Sequence, residues 1–211
     1  MAKLQSSFMN MALSLTCIAL VAAGALAGVY MLTMAPIEAA MKAKQEAAIM
    51  QVLPQVEGLQ VADAETVEGV TLYKAYVGEE WVGTAVEAST EGNINMPFGG
   101  TFRLMVGFDK VGNVVNYVVL EQAETPGLGA LMTTWFKNAD KPGQNILGKN
   151  PATTEFGVSK DGGDVDAITA STITSRAFLE VVVKAYNAIA HQDVEAVSSA
   201  TDLTTEEGGQ Q

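Results

Sequence analysis

At 211 residues the chain is long enough for one sizeable folded domain plus an accessory segment, and too short for two large domains. Its 24 Asp and Glu against 12 Lys and Arg leave a formal charge of −12, which argues against nucleic acid as a partner. Cys17 is the only cysteine, so this chain alone can build neither an intrachain disulfide nor a multi-cysteine metal site.

Leu4 to Ile37 carries no charged residue, and within it Met11 to Met34 supplies the roughly 20 apolar residues that one transmembrane helix needs. A cleaved signal peptide is the rival reading, because Ala25-Leu26-Ala27 resembles a small-residue cleavage site and Lys3 a weak basic flank. The apolar stretch exceeds the roughly 7–15 residues of a signal core and continues through Val29-Tyr30-Met31-Leu32, so a retained helix is preferred. Lys3 on one flank and Lys42 and Lys44 on the other leave the orientation open. The expected division is a short tail over 1–10, a transmembrane helix over 11–34, a juxtamembrane helix and linker over 35–69, a folded domain over 70–197 and a disordered polar tail over 198–211.

Pro36 marks the membrane exit, and Glu38 to Val52, rich in Ala, Met, Lys, Glu and Gln, predicts a juxtamembrane helix ending near Pro54. Val70 to Val77 and Trp81 to Ala88 read as strands of a hairpin around Gly78-Glu79-Glu80. Asn95 to Gly100 breaks the pattern. Phe102 to Phe108 and Val114 to Leu120 then form a second hairpin across Asp109 to Asn113. The Gly/Pro loop Glu124-Thr125-Pro126-Gly127-Leu128-Gly129 precedes a short helix from Ala130 to Phe136. Lys137 to Lys149 is polar and irregular, Asp161-Gly162-Gly163 is a turn, and Val165 to Ile168 is a short strand. The clearest element follows: Ile173, Ala177, Val181, Val182, Ala185 and Ile189 recur at helical spacing, with Arg176, Glu180, Lys184 and Asn187 mostly on the other side.

The start of that helix carries the chemistry. Asp166-Ala167-Ile168-Thr169-Ala170-Ser171-Thr172-Ile173-Thr174-Ser175 packs five hydroxyl residues where one cap would suffice. Taken alone, the cluster is ordinary capping with helix-surface threonines. A helix start is also a good place for a phosphate, since free N–H groups and the positive end of the dipole face it, and a first-turn hydroxyl such as Thr172 sits beside it. The loop at Glu124 is, by itself, a plain β-turn. Trp135 and Phe136 read better as core aromatics than as stacking partners of a ligand.

Asp166, Thr169, Ala170, Ser171 and Thr172, trailed by Thr174 and Ser175, resemble the flavinylation motif of the FMN-binding domain family, which usually has Gly at the Ala170 position and Ala at the Ser171 position. Glu124-Thr125-Pro126-Gly127-Leu128-Gly129 resembles that family's glycine loop, and Gly99-Gly100 precedes a matching strand that ends Val106-Gly107-Phe108-Asp109. With one N-terminal span, the whole chain is similar to the G-type subunits of the Rnf-type electron-transport complexes. The related C-type subunits of the sodium-pumping NADH:quinone reductase share the plan but are usually longer.

The resemblance implies an α+β fold: one transmembrane helix, then a single FMN-binding domain with a mainly antiparallel sheet and flanking helices. It implies FMN held through a phosphoester to Thr172, installed by a flavin transferase that uses FAD and magnesium. Glu124, Thr125, Gly127, Leu128 and Gly129 would approach the flavin, with Thr125 hydrogen-bonding it and Leu128 covering one ring face. It implies a relay subunit, not a complete enzyme, carrying electrons between ferredoxin and NAD among the other membrane and redox subunits of a complex that moves Na+ or H+, with the flavin domain on the outer face of the cytoplasmic membrane. A flavin subunit of the quinone reductase, a free-standing extracytoplasmic reductase and a membrane-tethered interaction module without cofactor are the alternatives. The absence of a Ser-His-Asp set, an HExxH, a P-loop or a Cys cluster agrees with a relay role.

Overall fold

A computed structural model describes residues 8–67, 69–92 and 95–205, with side chains up to residue 190. Two compact units emerge, 1–44 and 45–211.

The N-terminal unit is helical. Helix α1 runs from Phe8 to Val52 without a break, so the expected separation into a membrane helix and a juxtamembrane helix at Pro36 does not occur in the backbone. Proline costs one helical hydrogen bond and crowds the preceding turn, but strong helix formers on both sides carry the helix through it. The apolar stretch has a mean hydropathy of 2.2 and none of it is buried. Among the described residues α1 is the one helix long and apolar enough to cross a membrane.

The second unit is built on an antiparallel sheet: β1 Leu59–Val61, β2 Glu65–Val67, β3 Val70–Val77, β4 Glu80–Ser89, β5 Arg103–Asp109 and β6 Val114–Glu121. The order is β1-β3-β4-β5-β6, and β2 shares the outer edge of β3 with β1. The first hairpin closes in a two-residue turn, with Val77 opposite Glu80 and Gly78 at φ 64°. In the second, the Asp109 carboxylate accepts from the backbone N–H groups of Val111 and Asn113 and from the Asn113 amide, which ties the turn. β1 and β2 are absent from the sequence expectation because each is three residues long and mostly exposed, too short to show an alternating pattern.

Strand alternation sends side chains to opposite faces, and each face has its own cover. Leu72, Val86, Leu104, Val106 and Phe108 point toward helix α3, Thr172–Thr205, whose Ala177, Phe178, Val181, Val182 and Ala185 complete the main core. Ala75, Ala85 and Met105 point the other way, against Ala48, Ile49, Val52 and Leu53 at the end of α1. That second contact is close: a Cβ on Gly107 would strike the Val52 carbonyl, so glycine is required there. Gln45 donates to Tyr73 and to Glu87, and Glu87 also accepts from Arg103 at 2.8 Å.

The Gly/Pro loop leads into a 3-10 turn at Gly129–Leu131 and a one-turn helix α2, Met132–Trp135. In place of the strand expected over Val165 to Ile168 there is one parallel bridge between Val158 and Val165, because no neighbouring strand offers a longer edge. α3 stays helical to Thr205, past the expected tail boundary at 198; residues 206–211 lie outside the described residues.

Candidate functional site

Three segments distant in sequence meet at the carboxyl group of Glu124. The residue is 6% exposed, and its Oε1 accepts from the Thr174 hydroxyl at 3.2 Å and from the Gly99 N–H at 3.3 Å. Its other oxygen lies against Gly129, where any Cβ would collide with it. A buried carboxyl group is costly unless hydrogen-bonded, and these partners supply the bonds. The β6–α2 loop, the turn at 97–100 and the first turn of α3 are thereby held to one another.

The start of α3 is set by a second network. The Ser171 N–H bonds the Ile168 carbonyl at 3.0 Å, closing a tight turn over Thr169 and Ala170. Ser175 reaches back: its hydroxyl donates to the Ser171 carbonyl and accepts from the Ile168 N–H, both at 2.9 Å. Ala170 sits at φ 60°, the one non-glycine residue with positive φ among the described residues, and it occupies the place where the flavinylation motif usually carries Gly. Glycine adopts this conformation freely, so the motif's preference has a backbone cause.

The hydroxyls of the cluster are not equivalent. Thr174 and Ser175 are fully buried and engaged, and Ser171 is buried. Thr169 is exposed but lies in the turn before the helix. Thr172 is the first residue of α3 and partly exposed, beside the first-turn N–H groups that have no intrahelical acceptor.

Asp166 lies apart from the Glu124 cluster. Its N–H donates to the Gly143 carbonyl at 2.7 Å, its carbonyl accepts from the Trp135 indole at 2.8 Å, and its carboxylate accepts from the Ser159 hydroxyl at 3.0 Å. It pins the segment entering α3 to three others. Arg176, one turn beyond Thr172, is engaged by Asp161 through both carboxylate oxygens, at 2.6 and 2.9 Å, and hydrogen bonding from the guanidinium holds the Asp161 carboxyl below its usual range.

Thr125, Gly127 and Leu128 are exposed on the loop, with Gly127 at φ 77° and open space where its Cβ would be. The Thr125 carbonyl accepts from the N–H groups of Leu128 and Ala130 at 3.1 and 3.3 Å, so the loop is a folded turn. Phe136 is a core aromatic, stacked on Phe178 at 4.3 Å between ring centres, whereas Trp135 is half-buried. Gly99, Gly143, Ser159 and Ser175 act in these networks without having been candidates; Gly99 and Ser175 stood within the matched motifs, and Gly143 and Ser159 carry no local sequence signal.

Residues 98–187 match the FMN-binding domain family, and residues 1–52 match the RnfG N-terminal region. The chain is 32% identical over 162 residues to the G-type subunit of an ion-translocating oxidoreductase complex of Haemophilus influenzae, covering 72% of this chain and 75% of that one. The chain belongs to this RnfG family. Another similar member, from Methanosarcina acetivorans, is 29% identical over 181 residues and covers 83% of this chain and 91% of its own. The family match thus takes in the apolar helix as well as the domain with the Glu124 cluster.

Two outcomes test the local geometry. Ala170→Gly removes a left-handed backbone cost of about 1–2 kcal/mol, partly offset by the greater freedom of glycine in the unfolded chain, about 0.4–1 kcal/mol; the melting temperature of the full chain in detergent rises slightly, and Ala170→Val lowers it. Glu124→Ala leaves the Thr174 hydroxyl and the Gly99 N–H without an acceptor and costs about 1–3 kcal/mol; an unchanged denaturation midpoint would show that the carboxyl group is not a clamp.

Proposed function

We propose that this chain is a single-pass membrane subunit that carries electrons through an FMN esterified to Thr172, within an Rnf-type ion-translocating complex acting between ferredoxin and NAD. The observation that carries the attachment is the selective exposure of Thr172: in the helical part of the motif it is the hydroxyl left accessible, while Thr174 and Ser175 are consumed by internal bonds. In this reading residues 11–34 cross the membrane and 70–197 form the FMN-binding domain.

The residues present fit the group. Gly127 offers backbone an open approach, Gly129 keeps its loop against Glu124, and the first-turn N–H groups of α3 face the place a phosphate on Thr172 would take. The helix dipole favours a negative charge at that end, so the phosphoester is held without a cluster of basic side chains. Thr125 offers a hydroxyl and Leu128 an apolar surface. Asp166 acts by positioning the segment before α3, through its bonds with Ser159, Gly143 and Trp135. When bound, FMN supplies a redox group that takes up electrons in pairs and passes them on singly. The chain contributes rigid placement, polarity around the flavin and access for partner subunits; no nucleophile or general base of its own is required.

Co-expression of the full chain with a flavin transferase, followed by a denaturing gel viewed under ultraviolet light, tests the attachment. The unmodified chain gives a fluorescent band, Ser171→Ala keeps it and Thr172→Ala abolishes it; a dark band from the unmodified chain defeats the proposal. The flavin domain is proposed to lie outside the cytoplasm, so a C-terminal reporter active only outside the cytoplasm gives signal, and activity of a cytoplasm-only reporter reverses the placement.

A further inference from the structure

Of the seven phenylalanines, Phe102, Phe108, Phe136, Phe156 and Phe178 lie in the core and Phe8 begins the apolar helix. Phe98 stands out at 82% exposed, with Met96 two residues away at 53%. A phenyl ring left in water at the tip of a turn gains nothing for the fold, and large exposed apolar side chains grouped at one place mark a binding surface.

The backbone beneath Phe98 is fixed. The Gly100 N–H bonds the Pro97 carbonyl at 3.1 Å, which places Phe98 at a corner of the turn. The next residue, Gly99, is pressed so closely on the Ala123 backbone that no Cβ fits, and its N–H donates to Glu124 Oε1. Beyond the turn, Thr90 and Phe102 bind each other twice, through the Thr90 N–H to the Phe102 carbonyl at 3.1 Å and the Phe102 N–H to the Thr90 hydroxyl at 3.0 Å. Phe98 is therefore held out into solvent by an anchored turn.

The same Glu124 oxygen accepts from Thr174, so the turn at Phe98 and the first turn of α3 stand within two hydrogen-bond lengths of each other. The proposed attachment residue Thr172 begins the same helix, two positions before Thr174. A flavin joined there would have its isoalloxazine ring about a ribityl length from the helix start, a distance that brings the two loops tied together by Glu124 within its reach. Leu128 and Leu131 are exposed on one of those loops, at 38% and 37%, and Phe98 and Met96 on the other.

Resting on the proposed attachment at Thr172, we infer that Phe98 packs against the isoalloxazine ring and forms an aromatic wall of the flavin site. Its role is positioning and shielding: it restricts ring motion and limits access of water and small solutes to one face. Aromatic stacking suits this task because the flavin ring is flat and polarizable.

The test uses the full chain in detergent, labelled by co-expression with a flavin transferase. Phe98→Trp places an electron-rich indole, an efficient quencher of flavin emission, where the phenyl ring stood; native emission falls severalfold and a picosecond decay component appears, while the denatured band on a gel stays as bright as that of the unmodified chain. Phe98→Ala raises quenching of the native emission by iodide and keeps the same gel brightness. Equal gel brightness with native emission, decay and iodide access all unchanged overturns the role of Phe98 and leaves the attachment standing, as expected if Phe98 faces a partner subunit instead. A dark gel band from the unmodified chain overturns the attachment and this inference together.

Discussion

A single carboxyl group organises the candidate site. Glu124 sits at the exit of β6, where the chain leaves the sheet, and its carboxyl is withdrawn from water. Burial of such a group must be compensated by hydrogen bonds, and the partners that compensate it come from the 97–100 turn and from the helix that follows the hydroxyl motif. The geometry of both loops and of the helix start is consequently one problem with one solution. Gly129 follows from the same constraint, since the carboxyl group occupies the space a side chain would need.

Beneath this cluster lies a sheet covered on both faces. β5 is buried from Leu104 to Phe108, which explains why its sequence is apolar almost throughout instead of alternating. One face receives α3, which carries the hydroxyl motif at its start; the other receives the end of α1, whose Val52 backbone approaches so near that Gly107 can hold no side chain. Loops that have to place a ligand are most effective on such a rigid support, because the scaffold and not the loop carries the cost of ordering. Asp166 adds to that rigidity from outside the Glu124 cluster, joining Ser159, Gly143 and Trp135 to the approach of α3.

Periodic patterns were the legible part of the fold. The two hairpins and α3 were readable because alternating or helical spacing of apolar residues reports burial directly, and the glycine-bearing turns between strands report chain reversal. β1 and β2 were not readable, since three residues are too few to show a pattern and such strands exist only because β3 offers them an edge. The single bridge at Val165 failed the other way: an apolar run suggested a strand, but the local chain finds only Val158 to pair with. Pro36 suggested a boundary that the backbone of α1 does not observe, because a local penalty is outweighed by the helix formers around it.

The sequence by itself determined the apolar helix, the antiparallel hairpins and the two motifs, because composition and spacing are enough to reveal a membrane-length run, a strand pair or a glycine-rich loop. It marked Glu124, Thr174 and Thr172 as candidates, and only the motif resemblance set Thr172 apart from the other hydroxyls. The tertiary structure added what packs against each hydroxyl: it buried Thr174 on Glu124 and Ser175 on the preceding turn, left Thr169 exposed and Thr172 partly so, and brought Gly99 to Glu124 from a distant loop. Which hydroxyl remains available for chemistry depends on what packs against it, and that is set by contacts between segments tens of residues apart, where sequence spacing carries no information.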